Sequence, residues 1–254
     1  MSGIGLRSAG SAEVDGRALA ERVRDRDQGR DARFETRMRL VDRQGGVRER
    51  RFTTAWLRSV KGEDKGLVRF LAPGDIRGTG LLVLKHGAGE AERFLFLPAL
   101  GRVRRVAGGE SQEAFVGSDF SYEDIGGQDL DAYTYQVLDD QASFQAGDGK
   151  HYVCFKLEAK AKDARAPHPT TVSWVVKDSL VVVHSEFFDR AGQKRKTYDV
   201  RKIAAVQGIW TVLESVMATE RDRTRTELVV DTPKYNVGLT DADVSRRELE
   251  RPTP

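Results

Sequence analysis

Histidines, a cysteine and carboxylates are the residues of this 254-residue chain whose types could hold a metal or drive nucleophilic chemistry. His86, His151, His168 and His184 lie far apart, without an H-x-x-x-H pair or a Cys/His cluster, so the spacing of a metal site is missing. Cys154 stands mid-strand in Tyr152-Val153-Cys154-Phe155, where a small buried thiol is the ordinary reading and a catalytic thiolate would need a base that the sequence does not supply. Gly74-Asp75-Ile76-Arg77-Gly78-Thr79-Gly80 is glycine-rich but lacks the Gly-Lys-Ser/Thr ending of a phosphate loop and runs into a strand, so it reads as a turn. Gly109-Glu110-Ser111-Gln112-Glu113 lacks the second glycine of a nucleophile elbow. With 39 Asp and Glu residues in the chain, carboxylate pairs arise by chance. Nothing here selects an enzyme, a metal or a cofactor.

Binding chemistry is better represented. Phe34, Trp56, Phe70, Leu82, Leu84, Phe94, Phe96, Tyr135, Phe155, Trp174, Phe187 and Trp210 place large apolar groups on nearly every segment that reads as a strand. Either they fill a closed core, the usual fate of such residues, or they line an apolar concavity open to a ligand. Basic residues cluster in Arg102-Val103-Arg104-Arg105, with Arg102 and Arg104 on one strand face and Arg105 on the other. Outward at a cavity mouth they would meet an anionic headgroup or an acidic partner surface. Inward they would need carboxylates, for which Asp119, Glu123 and Asp124 are the candidates, and that pairing would tether a lid to the sheet.

These groups must be positioned by strands. Ala32, Phe34, Thr36, Met38 and Leu40 alternate with Arg33, Glu35, Arg37 and Arg39, the signature of a half-buried antiparallel strand. After the turn Asp42–Gly46, Val47–Leu57 reads as its partner. The pattern repeats over Gly66–Leu71, Gly80–Lys85, Arg93–Leu97, Arg102–Val106, Tyr133–Leu138, His151–Glu158, Thr171–Lys177, Leu180–Phe188, Lys194–Ala205, Ile209–Ala218 and Thr224–Val230, and reads as one meander. A short helix is expected over 15–27, with Asp15 as N-cap and Leu19 and Val23 on its apolar stripe. Residues 107–132 break the meander, and a short helix starting at Thr240 or Asp241 is expected in the tail. Only two modest helices would then cover a sheet of this size, so it must fold on itself or keep a large apolar concavity.

Composition narrows the class. The 42 Lys and Arg against 39 Asp and Glu leave a net charge of +3, which excludes a strongly basic nucleic-acid arm or an acidic tail. One cysteine permits no internal disulfide. No apolar run approaches the roughly 20 residues of a membrane-spanning helix. Met1-Ser2-Gly3-Ile4-Gly5 shows neither the basic nor the apolar region of a secretory signal.

Four ordered blocks then carry a resemblance: Asp25-Arg26-Asp27-Gln28-Gly29, Phe70-Leu71-Ala72-Pro73-Gly74-Asp75-Ile76-Arg77-Gly78-Thr79-Gly80, Leu97-Pro98-Ala99-Leu100-Gly101-Arg102-Val103-Arg104-Arg105 and Gly117-Ser118-Asp119-Phe120-Ser121-Tyr122-Glu123-Asp124. The chain resembles the LolA-like outer-membrane lipoprotein-sorting family from Leu19 to Leu249. The resemblance implies a mainly β fold, an unclosed antiparallel β-barrel of about 11 to 13 strands with short helices as a lid, forming one domain over 15–250 behind a leader of residues 1–14. It implies a periplasmic carrier, not an enzyme and without cofactors, that binds acyl chains of lipoproteins or lipids in its concavity for transfer toward the outer membrane. Family members are exported, so the absent signal peptide is read as one trimmed from the chain. The lid is expected at 15–27 and 107–125, where Phe115, Phe120 and Tyr122 close over the chains, with Arg102, Arg104, Arg105, Asp119, Glu123 and Asp124 at the lid or mouth. Similarity to proteins found beside RND-type exporters adds an inner-membrane transporter and an outer-membrane acceptor as partners of a monomer. It also raises the alternative of a non-enzymatic periplasmic module that docks on such an exporter and carries nothing. A lipid hydrolase ranks third.

Overall fold

The computed structural model describes residues 14–58, 63–86, 91–107, 110–147, 149–163 and 165–253. The expected leader therefore lies outside the described residues except for Val14. The strands are β1 (Asp31–Val41), β2 (Val47–Arg58), β3 (Glu63–Ala72), β4 (Gly80–His86), β5 (Glu92–Leu97), β6 (Arg102–Val106), β7 (Tyr133–Gln145), β8 (His151–Ala161), β9 (Thr170–Val176), β10 (Val182–Phe188), β11 (Lys194–Val206), β12 (Ile209–Thr219), β13 (Thr224–Val230) and β14 (Lys234–Tyr235). In β1 the alternation holds: Ala32, Thr36, Met38 and Leu40 are buried while Arg33, Glu35 and Arg37 are exposed.

All these strands join one antiparallel sheet in the order β6-β5-β4-β3-β2-β1-β13-β12-β11-β10-β9-β8-β7, with β14 added beside β1. The single meander expected from the sequence is corrected to two. The chain runs outward from β1 to the edge β6, crosses to the opposite edge β7 through residues 107–132, and runs back inward to β13. The β1–β13 seam joins the two arms through cross-strand chemistry that no local pattern announces. Met38 lies opposite Leu228 on one face, while Arg39 meets Glu227 at 2.6 Å and Arg37 meets Asp231 at 2.8 Å on the other. Edge strands β6 and β7 do not pair with each other, so the barrel stays unclosed.

Local signals explain most boundaries. Gln207 and Gly208 both take positive φ, 52° and 83°, which gives the two-residue hairpin between β11 and β12 the twist its strands need. β7 runs past Leu138 to Gln145, because register shifts after Val137 and Asp139 interrupt the alternation that marks a strand. β14 is too short for any pattern to reveal.

The helices are α1 (Gly16–Arg24), α2 (Tyr122–Gly126) and α3 (Arg246–Leu249). Asp15 caps α1 by accepting from the Ala18 N–H at 2.9 Å, and Leu19 and Ala20 are buried beneath it. The helix ends at Arg24, three residues short of the expected Asp27, where Asp25 leaves helical geometry. In the tail, Thr240 caps a 3-10 turn over Asp241–Val244 and Ser245 caps α3.

Helix α1 lies close against β7: a Cβ at Gly16 would fall 2.7 Å from backbone atoms of Tyr135 and Gln136. Gly16→Ala should therefore lift the first turn of α1 and cost about 1–3 kcal/mol. Thermal denaturation checks the stability, and faster amide exchange confined to residues 16–24 checks the location.

Candidate functional site

The sheet curls until strands far apart in its order face one another. A cavity of about 460 Å³ is lined by Trp56, Val68 and Val83 from β2, β3 and β4, and by Tyr135, Leu157, Ala159, Val175 and Val182 from β7, β8, β9 and β10. Four strands, β1, β13, β12 and β11, separate β2 from β10 along the sheet. Ala20 and Val23 of α1 and Ile125 and Leu130 of the crossover complete the wall. The size falls within the range of small-molecule sites.

Charged groups gather at one part of this lining. Arg24, Arg58, Asp64 and Lys85 all contribute to it. Arg58 Nε lies 3.8 Å from Asp64 Oδ1, and Arg24 is held by Asp25 at 2.7 Å. Burial lowers the pKa of the Lys85 ammonium and raises that of the Asp64 carboxyl, so the low-dielectric surroundings are felt here too.

The crossover enters the concavity instead of passing outside it. Phe115 is buried with its ring 5.7 Å from that of Phe70 and 5.6 Å from that of Tyr122, and Phe120 meets Tyr198 edge-on at 6.3 Å. A loop placed inside a barrel must find donors for its carbonyls. Basic side chains from the wall and α1 supply them: Arg50 Nη1 donates to Val116 O at 2.5 Å, Arg17 Nη1 to Leu130 O at 2.7 Å, Arg93 Nη2 to Gly127 O at 2.9 Å and Lys85 Nζ to Gln128 O at 3.2 Å.

Asp119 makes the strongest anchor. Its Oδ1 accepts from the hydroxyls of Thr219 and Thr224, both at 2.6 Å, and its Oδ2 from that of Thr226 at 2.7 Å. The expected tether between arginines and this block is thus corrected. Arg104 pairs with Glu110 at 2.9 Å, Arg105 with Glu92 at 3.0 Å, and Arg102 is exposed. Threonines of β12 and β13 hold Asp119 instead. Asp124 closes a capping box with Ser121 and lies 3.6 Å from Lys196 Nζ.

Glu123 accepts from the Tyr133 hydroxyl at 3.2 Å. Burial first, and the neighbouring Asp124 second, raise its carboxyl pKa above the ordinary 4.5. A carboxyl raised on folding favours the native state below its unfolded pKa and loses that contribution as pH rises through its folded value. Glu123→Gln should therefore be more stable than the parent at pH 7 and converge with it near pH 4, a comparison made by urea denaturation across that range.

The sequence-predicted residues divide. Trp56 and Tyr135 line the cavity. Phe155 lies under α1 with Leu19 and Ala20, and Phe187 lines a neighbouring cavity. Phe34 packs edge-on against Tyr235 at 5.4 Å, and Phe70 lies beneath Phe115 and Tyr122 in the crossover core. Leu82, Leu84, Phe94 and Phe96 do not join the cavity; they occupy the opposite face, under Val244 and Leu249 of the tail. In β4 the inner positions are Leu81, Val83 and Lys85, so period two sends Leu82 and Leu84 outward. Trp174 packs on His184 and Phe144 in a separate cluster, and Trp210 is 44% exposed. Sequence reading missed Val68, Val83, Leu157, Ala159, Val175 and Val182, because it weighted large aromatic groups over the small aliphatic ones that leave space. Cys154 is a fully buried thiol whose pKa burial pushes up to about 11. Among the described residues, no group of three His, Cys, Asp or Glu side chains could hold a metal ion.

Comparison with known proteins follows this geometry. Residues 62–251 match the profile of an uncharacterised protein family. The structure superimposes on a DUF1329 family protein from Desulfovibrio piger with a TM-score of 0.80, at 29% identity over 92% of this chain and 97% of that one. The chain belongs to the DUF1329 family. A domain assigned to outer-membrane lipoprotein sorting in Vibrio parahaemolyticus matches this family member with a TM-score of 0.81, at 27% identity over 93% of this chain and 98% of that one. A LolA superfamily protein from Nitrosomonas europaea shares the fold, with a TM-score of 0.66 at 17% identity over 92% of this chain and 99% of that one. No curated protein matches the chain. No helix among the described residues is long and apolar enough to cross a membrane.

Proposed function

We propose that this LolA-like protein is a periplasmic carrier that holds acyl chains of lipoproteins or lipids in the cavity between its two sheet arms and conveys them toward the outer membrane. The observation that carries the reading is an apolar cavity of about 460 Å³ inside an unclosed barrel, covered by α1 and the crossover. The lipoprotein-sorting domain it resembles supports the compartment and the class of cargo.

The energetics suit the role. An acyl chain exposed to water costs about 0.8 kcal/mol per CH₂, so crossing an aqueous space without cover is slow. A cavity of this kind removes much of that cost, and release without nucleotide requires moderate affinity and covers that open. Helix α1 and residues 110–126 serve as those covers. Their polar ties to the walls can break and re-form, whereas one continuous sheet cannot open cheaply.

Incubating the full chain with vesicles of bacterial lipids and lipopeptide, re-isolating it and measuring its mass under native conditions tests the proposal. Co-purifying lipid or lipopeptide is expected, and a protein that emerges without either overturns the reading.

A further inference from the structure

A second cavity of about 240 Å³ adjoins the apolar one and shares Asp124, Gly127, Gln128, Thr171, Ser173 and Val182 with it. Beside the Phe187 ring, its other lining groups are Gln112, Ser121, Glu123, Tyr133, His168, Ser185 and Lys196. Together the two cavities join a wall of aliphatic side chains, among them Val23, Leu157, Val175 and Val182, to a set of hydrogen-bonding groups, the pattern of a site for an amphiphile.

Charge bookkeeping identifies the kind of polar group that fits. Lys196, only 9% exposed, is the cation of this lining, and Asp124 already stands 3.6 Å from its ammonium. Glu123 adds a second carboxyl, held by the Tyr133 hydroxyl and shifted by burial toward its neutral form. Burial and Lys196 also hold His168 toward neutrality. The compartment therefore offers no net positive charge. A phosphate or carboxylate entering it would lose its water and meet two acidic groups, against Lys196, already beside Asp124, and Arg93, which acts on Glu123 and already donates to Gly127 O.

Uncharged polar groups meet a better reception. Gln112 Oε1 and His168 Nδ1 are buried without a hydrogen-bond partner in the protein. Such atoms carry a desolvation cost that an uncharged donor can offset. Ser173 and Ser185 hydrogen-bond each other at 2.8 Å and keep capacity for one more partner.

We propose that the second compartment takes an uncharged, hydrogen-bond-donating amide or hydroxyl group adjoining the chain of a bound amphiphile and disfavours an anionic headgroup. This rests on the carrier reading above. The selection acts after the chain has entered the apolar cavity, because the two compartments share a wall.

The test uses three probes with one oleoyl chain, 1-monooleoylglycerol, oleoylethanolamide and oleate, titrated at pH 7.5 against the full chain carrying a displaceable fluorescent acyl reporter. The two neutral probes should bind about tenfold more tightly than oleate. Glu123→Gln should narrow that ratio severalfold by removing an acidic group, and Lys196→Met should widen it. A preference for 1-monooleoylglycerol, whose donors are its hydroxyls, would indicate a glycerolipid source, and a preference for the amide a lipopeptide source; either supports the compartment. Oleate binding as tightly as the neutral probes overturns the proposal, as does a ratio that neither folded variant changes. Binding of none of the three would remove the carrier reading itself, a result distinct from equal binding of all three.

Discussion

An aspartate introduced at Ala159 should leave the protein folded and reduce acyl-chain binding by about 100-fold or more. Ala159 is small, lies on β8 and faces the apolar cavity beside Leu157 and Val175. The new carboxylate would have room but no cationic partner among these aliphatic neighbours. While the cavity holds solvent it stays hydrated, whereas a hydrocarbon chain would strip that water away, so the penalty appears on binding and not on folding. Phe94→Asp is the contrasting case. Phe94 is buried on the opposite face between the sheet and the tail, with the Arg246 guanidinium 3.9 Å from its ring centre. Its replacement should cost about 3–5 kcal/mol of stability while the folded fraction still binds. Acyl-probe titration and thermal denaturation of both variants separate the outcomes. Loss of binding in Phe94→Asp at full stability, or unchanged binding in Ala159→Asp, would show that the cavity is misassigned.

Removing the Asp119 carboxylate should cost about 3–4 kcal/mol, the effect of losing short charge-assisted hydrogen bonds and stranding buried hydroxyls. Asp119→Ala leaves Thr219, Thr224 and Thr226 without their shared acceptor, and Thr226 is fully buried. The midpoint of thermal unfolding should fall by roughly 10 °C. Hydrogen exchange should quicken most in residues 110–126, because the carboxylate joins that segment to the β12–β13 hairpin. Arg104→Ala supplies the comparison. Its partner Glu110 is only partly covered, so the pair is screened by solvent and the change should leave the unfolding midpoint near that of the parent. Equal effects from the two substitutions would contradict the assignment of the anchor to the threonines.

Much of the fold was legible because strand periodicity is a local property. The alternation in β1, the Gln207-Gly208 turn and the Asp15 cap each depend on neighbours in sequence. Long-range pairing was not legible. Nothing around Arg39 states that Glu227 will lie beside it, so the two arms read as one meander and the 107–132 break read as an interruption. In fact that break is where the chain crosses between the edges of the sheet. The basic residues that hold the crossover, Arg17, Arg50, Lys85 and Arg93, are spread over four elements and had no reason to be grouped. The Arg102–Arg105 cluster drew attention because it is contiguous, yet Arg104 and Arg105 are spent on nearby Glu110 and Glu92.

By itself, then, the sequence determined that this protein is an antiparallel β structure with one charged and one apolar side to many strands, and its ordered blocks pointed to the LolA-like family. Only the tertiary structure decided which apolar side encloses space and which is sealed. Period two says that Leu82 and Val83 face opposite ways, but not which way is inward. That choice belongs to the curl of the whole sheet, with the crossover and α1 covering one face and the C-terminal segment packing against the other. Histidines, carboxylates and arginines offered chemistry by type alone. Burial and partners assigned their roles, because the free energy of a polar group depends on what surrounds it, and those surroundings come from residues distant along the chain.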